Sequence, residues 1–76
     1  MPLSMLGLRN KGVVVGLRGK FDLKIFLAEL GFVSGKEVEI MQYTSGNNLI
    51  VGLGGCRLAL DRSLAHLIEI IPQKEL

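Results

Sequence analysis

Apolar residues in this chain occur in short runs that are mostly separated by glycines, of which the sequence has ten. Such runs are typical of strands joined by tight turns, because glycine lets the backbone turn sharply. The first run, residues 12–17, contains Val13, Val14 and Val15, and these β-branched residues favour an extended backbone. We therefore predict a first strand at residues 12–17.

The hydrophobic period changes after Asp22, where apolar residues recur at the three- and four-residue spacing of one helix face. The residues on this face are Leu23, Phe26, Leu27 and Leu30. This pattern predicts a helix over residues 22–30.

Residue types at both ends of this segment also predict where the helix begins and ends. Asp22 is expected to cap the first turn, while Phe21 packs across that turn on Phe26 as a hydrophobic staple. Gly31 can take the left-handed conformation that ends a helix, and Phe32 then folds back on Leu27 in the last turn.

The next segment, residues 36–43, begins as an alternating strand with Val38 and Ile40 on one face. The alternation slips after Ile40, because Met41 and Tyr43 are apolar on the opposite phase. This slip predicts a bulge, or a strand that passes from one side of a curved sheet to the other.

Turn residues and short apolar runs continue to the end of the chain. The elements predicted there are a turn at 44–48, strands at 49–53 and 57–60 around Gly54-Gly55, a short helical turn capped by Asp61, and a last strand at 68–71.

The predicted order is strand, helix, three strands, short helical turn and strand. Short, strongly turned strands usually close into a small barrel, because closure removes exposed sheet edges. We predict a mainly β fold, a small barrel of about five strands, with an interior of Leu, Ile and Val. The 76 residues form one domain, with a core at about residues 3–71 and a tail at 72–76.

Charge is low and scattered, since nine Lys and Arg against seven Asp and Glu give a net charge of +2. A nucleic-acid binder more often has a basic stripe with interleaved aromatic residues, so no nucleic-acid partner is expected. The positive charge and the lysines near residue 20 nevertheless keep a small nucleic-acid-binding barrel as an alternative.

Cysteine usage and hydropathy bear on location. A single cysteine, Cys56, allows no internal disulfide and fits a reducing compartment, so a cytoplasmic location is expected. Residues 1–7 lack the pattern of a signal peptide. The longest stretch without a charged or strongly polar side chain, residues 49–56, is far shorter than the ~18 residues that span a bilayer, so no direct membrane insertion is expected.

Catalytic and metal-binding sets are incomplete. The one histidine, His66, has no discernible orienting group, so no catalytic residue is predicted. Cys56 and His66 could together serve a metal sensor, but structural zinc needs four ligands, and no metal or cofactor is expected. The segment at residues 16–20 lies between a strand and a helix but fails the spacing of a phosphate-binding loop.

Surface residues around the helix are the remaining candidates for function. Ile25 lies off the apolar stripe, which fits either a docking surface or a wide helix face buried against the barrel. Arg18, Lys20 and Lys24 are either ordinary solvated cations or a small patch for an acidic surface.

One motif runs from the end of the predicted helix into the next strand, at Leu27-Ala28-Glu29-Leu30-Gly31-Phe32, Gly35, Val38 and Ile40. These residues resemble the signature of the FeoA family, and the resemblance extends over about residues 3–71. It continues upstream at Gly12-Val13-Val14-Val15-Gly16-Leu17-Arg18-Gly19 and downstream at Leu58-Ala59-Leu60, Ala65 and Leu67-Ile68-Glu69-Ile70. Many relatives have a Gly-Asp-Pro-type turn where this chain has Ser45-Gly46-Asn47-Asn48.

The resemblance implies an SH3-like barrel in the cytoplasm. It also implies a non-catalytic accessory or regulatory role in bacterial ferrous iron uptake, with a membrane iron transporter that has a cytoplasmic GTP-binding domain as partner. Ile25, Phe32 and Arg57 are the expected partner contacts. The same domain occurs in metal-dependent transcriptional regulators, so a metal-regulator-type module is a second alternative. Self-association into a homo-oligomer is left open.

Overall fold

The computed structural model describes residues 1–73 and has the predicted order of elements. A short 3-10 helix, Leu3–Met5, precedes the first strand. The remaining elements are β1 (Lys11–Leu17), α1 (Phe21–Leu30), β2 (Glu37–Tyr43), β3 (Asn48–Leu53), β4 (Cys56–Asp61), α2 (Arg62–Ala65) and β5 (Ile68–Pro72). Pro72, predicted as the start of a tail, is the last residue of β5, and residues 74–76 of that tail lie outside the described residues.

The strands form one antiparallel five-stranded sheet in the order β4-β3-β2-β1-β5. The predicted bulge in β2 is confirmed, because the pairing with β3 shifts between Ile40 and Gln42. A second bulge lies between Val14 and Gly16 in β1, and the valine run did not predict it. Bulges of this kind strengthen the twist and bend a sheet.

One hydrophobic core contains side chains from all five strands. Its fully buried large residues are Phe32, Leu3, Leu27, Ile40, Leu49, Ile68, Ile70, Val14, Val38 and Val51. The interior is therefore aliphatic apart from Phe32, as the composition predicted. The mainly β fold with a helix between its first two strands is confirmed.

The N-terminal segment belongs to the core, which the sequence pattern did not predict. Leu3 and Leu6 are buried, and the backbone of Met1 exchanges hydrogen bonds with Ile70, at 2.8 Å and 2.7 Å. Pro2 forms an isolated bridge with Glu69. Residues 1–2 therefore cover the outer edge of β5.

The start of α1 differs from the prediction. The helix begins at Phe21, and its N-cap is Lys20, which makes no side-chain capping bond. The Asp22 carboxylate lies inside the first turn and accepts a hydrogen bond from the Leu23 amide at 2.8 Å. Because Phe21 is a helical residue and 78% exposed, it does not form the predicted staple on Phe26.

The predicted buried face of α1 is also narrower than the periodicity suggests. Leu27 alone is fully buried, while Phe26 and Leu30 remain exposed. The helix thus contributes Leu27 to the core and leaves several apolar side chains on its surface. No helix in the described part of the chain has the length and apolar character needed to cross a membrane.

Candidate partner-binding surface

The C-terminal end of α1 sets the position of the helix. Gly31 has a φ of 112°, and its amide donates to the Ala28 carbonyl at 3.0 Å. The Phe32 amide donates to the Leu27 carbonyl at 3.1 Å. This pair of bonds is a Schellman motif, which favours glycine at the left-handed position of Gly31 and turns Phe32 back toward the core.

The connection from α1 to β2 takes the place of a strand beside β1. β1 pairs with β2 only through Lys11, Gly12 and Val13. At Val14, β1 pairs instead with the connection after α1. The Val14 amide donates to the Lys36 carbonyl at 2.9 Å, and the Gly35 amide donates to the Val14 carbonyl at 2.8 Å. The second half of β1 therefore lies against α1 and this connection.

A groove of about 450 Å³ lies between the second half of β1, α1 and the connection. We call it the helix groove. It is lined by Val14, Gly16, Leu17, Lys24, Ile25, Ala28, Phe32, Val33 and Ser34. Its volume falls within the range of roughly 300–1,000 Å³ that is usual for binding pockets. Except for Lys24 and Ser34, these residues are apolar or glycine.

The walls of the helix groove are more accessible than its floor. Ile25 is 43% exposed and Val33 is 46% exposed, whereas Val14 and Phe32 are buried. The Ser34 hydroxyl donates to the Val15 carbonyl at 3.3 Å, so it is already engaged. The accessible surface of the groove is therefore mainly hydrophobic.

Further apolar side chains are exposed on α1. Phe21, Phe26 and Leu30 are exposed together with Ile25 on one ten-residue helix. Exposed apolar side chains that are grouped on one element mark interaction sites more often than single ones do.

The three predicted contact residues are divided between two sites. Ile25 and Phe32 both line the helix groove, but Phe32 is 0% exposed and supports the groove from below. Arg57 lies in a second cavity of about 410 Å³, beside Lys11, Lys36 and Cys56. The connection after α1 runs between the two, with Val33 on the groove side and Lys36 on the side of the second cavity.

Two of the arginines form ion pairs with glutamates. Arg9 pairs with Glu39 at 3.6 Å, and Arg18 pairs with Glu69 at 3.2 Å. Among the described residues, no carboxylate forms an ion pair with Lys24. Lys24 is the one charged side chain that lines the helix groove.

The end of β2 and the loop after it contact the start of α2. The Arg62 amide donates to the Asn47 carbonyl at 2.9 Å, and the Arg62 guanidinium lies 5.6 Å from the centre of the Tyr43 ring. Asp61 caps α2 as predicted. Hydrogen bonds from the Ser63 hydroxyl and the Ser63 amide lower the pKa of the Asp61 carboxyl below its ordinary value of 3.8.

Cys56 and His66 lie on different elements, at the start of β4 and directly after α2. Cys56 is exposed, and His66 Nδ1 lies 2.9 Å from the Ser4 hydroxyl. Within residues 1–73, the structure has no group of three or more His, Cys, Asp or Glu side chains placed to hold a metal ion.

Gly16 and Val33 are among the groove residues that the sequence interpretation did not identify as partner contacts. Val33 follows the helix end and precedes a serine and a glycine, so its exposed apolar side chain in a polar connection was a usable signal. Gly16 was interpreted as part of the first strand and of the segment at residues 16–20. Its place at the groove depends on the bulge in β1, which the sequence pattern did not predict.

Comparison with known proteins shows which family has this sequence pattern. The family model for the FeoA domain matches residues 1–72 of the chain. A comparison with curated proteins gives no match.

Several solved structures have a similar fold. A crystal structure of an iron uptake regulatory protein (FeoA) superposes with a TM-score of 0.87 at 26% identity, covering 96% of this chain and 97% of that chain. The zinc complex of Stenotrophomonas maltophilia FeoA, described as a prokaryotic SH3 domain protein and a candidate activating factor of ferrous iron transport, has a TM-score of 0.82 at 33% identity. It covers 93% of this chain and 89% of that chain.

A manganese-dependent transcriptional repressor has the same fold in part of its chain. Its TM-score is 0.85 at 12% identity, with 96% of this chain but 41% of that chain covered. At this identity the similarity concerns the fold alone.

Proposed function

Because this chain belongs to the FeoA family of SH3-like proteins associated with ferrous iron transport, we propose that it is a non-catalytic accessory protein of iron uptake. In this proposal it acts in the cytoplasm and binds the GTP-binding part of the membrane iron transporter. The helix groove and the exposed face of α1 form the contact surface.

The observation that supports this proposal is the exposed apolar surface around the helix groove. Ile25 and Val33 stand on its two sides, and Phe21 extends the apolar surface along α1. Leaving such side chains in water is unfavourable by roughly 25 cal/mol for each Å² of apolar surface, so their burial would favour association with a partner.

The distribution of charge favours a protein partner over a nucleic acid. Arg9 and Arg18 are engaged by Glu39 and Glu69 rather than gathered into a basic stripe. Binding to nucleic acid would require several free cations along one surface and would weaken steeply as the salt concentration rises. A gel-shift assay with DNA or RNA at low salt checks this alternative, and we expect no shift.

The main proposal is tested by titrating this protein with the transporter's soluble domain and measuring binding by isothermal titration calorimetry, with and without guanine nucleotide. We expect the parent protein to bind and the Ile25→Asp variant to lose binding, because a carboxylate in the groove wall would have to be desolvated on association. Ile71→Asp is the matched control, since Ile71 is an exposed isoleucine on β5 and does not line the groove.

Two results would contradict the proposal in different ways. Absence of binding by the parent protein at high micromolar concentrations would exclude the transporter domain as partner. Equal binding by the parent, Ile25→Asp and Ile71→Asp proteins would keep the partner and exclude this surface. Arg57→Ala tests whether the second cavity contributes, and we expect it to bind like the parent because Arg57 lies outside the groove.

A further inference from the structure

The helix groove contains an open space above Gly16. A Cβ placed on Gly16 would have no atom within 4 Å outside its chain neighbours, and Gly16 does not have a positive φ. The backbone therefore does not require glycine at this position. The missing side chain leaves room beside Ile25 and Val33 that a side chain from a partner could fill.

The chemistry around this space limits what could fill it. Val14 and Phe32 form a buried apolar floor, and the Ser34 hydroxyl is already bonded to the Val15 carbonyl. A polar side chain placed there would lose hydrogen bonds to water and find few partners. An aliphatic side chain would lose none.

Lys24 places a positive charge beside this apolar space. Its ammonium group is the only charge among the lining residues, and no described carboxylate pairs with it. Lys20, one helical turn earlier, adds a second exposed positive charge near the start of α1. An approaching carboxylate could therefore pair with Lys24 at the groove rim.

From these observations we infer that the groove binds a partner segment with an aliphatic side chain that fills the space over Gly16 and an adjacent carboxylate that pairs with Lys24. This inference rests on the proposed function and specifies the chemistry of its partner, a segment of the transporter's soluble domain. Gly16 and Lys24 then act as determinants of specificity, one by shape and the other by charge.

The shape requirement is tested with Gly16→Leu and a matched control, Gly55→Leu. Gly55 also has open space around its Cβ position and no positive φ, but it lies in the second cavity. We expect Gly16→Leu to weaken binding of the soluble domain at least about 30-fold, the size of a hot-spot loss. Gly55→Leu should bind like the parent, and circular dichroism with thermal melting verifies that both variants are folded.

The charge requirement is tested with Lys24→Glu, Lys24→Gln and the control Lys20→Gln. Lys24 is exposed on α1, so these substitutions leave the core unchanged even if Gly16→Leu proves unstable. We expect Lys24→Glu to weaken binding by about 10-fold or more. Parent binding should weaken as salt rises, and Lys24→Gln should remove more of this dependence than Lys20→Gln.

The outcomes separate the inference from the proposed function. If the parent binds, Ile25→Asp does not, and both Gly16→Leu and Lys24→Glu bind normally, the inference is overturned while the docking surface stands. If the parent does not bind the domain, the proposed function and the inference both fail. A concentration-dependent dimer in sedimentation that Gly16→Leu abolishes, with unchanged binding to the domain, would assign the groove to a second copy and overturn the inference.

Discussion

Phe32 gives the sharpest test of how folding and docking are divided in this protein. The sequence interpretation names it as a partner contact next to the helix, whereas the structure buries it completely beneath the helix groove. The perturbation is Phe32→Ala, which removes the one aromatic ring of the core. Its neighbour Val33 is half exposed, so Val33→Ala is a control at the next position in the chain.

The expected loss follows from burial. Truncation of a fully buried phenylalanine costs about 3–5 kcal/mol, which combines lost transfer free energy with the cavity that remains. A chain of 76 residues has a total stability of roughly 4–11 kcal/mol. Phe32→Ala therefore removes a large fraction of the free energy of unfolding. Val33→Ala should cost less than about 1 kcal/mol, because much of that side chain is already in water.

The assay is thermal unfolding followed by circular dichroism, together with urea titration. In a domain of this size, each kcal/mol shifts Tm by roughly 4–8 °C, so Phe32→Ala should lower Tm by at least about 12 °C. Val33→Ala should change Tm little but weaken docking. If Phe32→Ala lowered Tm by less than about 4 °C, the assignment of Phe32 to the core would be refuted. A loss of binding without a loss of stability would make it a direct contact.

Three further predictions concern the fold. In urea titration, Gly31→Ala should destabilise the protein by at least about 1–2 kcal/mol, because Gly31 has a positive φ. Gly16→Ala should instead stabilise the protein by about 0.4–1 kcal/mol, because Gly16 does not have a positive φ. Equal effects of the two substitutions would contradict these backbone conformations. Leu3→Ala should cost about 2–5 kcal/mol because Leu3 is buried in the core, while Met5→Ala, exposed on the same turn, should stay within about 0.5 kcal/mol. The pKa of Asp61 is lowered on folding, so its capping contribution is present above about pH 4 and is lost as the pH falls through the folded value. Asp61→Ala should therefore lower Tm at neutral pH and behave like the parent in strong acid, and a constant difference at all pH values would contradict this.

Local sequence patterns determined most of the secondary structure. The valines of β1, the left-handed glycine at Gly31 and the Asp61 cap act within a few residues of the chain, so their consequences can be predicted from spacing. The slip after Ile40 predicted the bulge in β2 for the same reason. The pattern of elements and the resemblance to one family were therefore both available from the sequence.

Tertiary contacts decided which side chains are buried. Leu3 is in the core because the backbone of Met1 bonds to Ile70, 69 positions away, and no local period reveals such a contact. Similarly, Phe32 is buried and Ile25 remains accessible because α1 inserts only Leu27 into the core.

The candidate site also depends on packing between elements, although its lining residues all lie between positions 14 and 34. The sequence placed Ile25 on a helix surface, but it could not place Gly16 and Val33 beside it. Their meeting depends on the bulge in β1 and on the hydrogen bonds between Val14 and the connection after α1. The sequence alone thus determined the elements and the family, whereas the groove forms only where β1, α1 and the connection after α1 pack together.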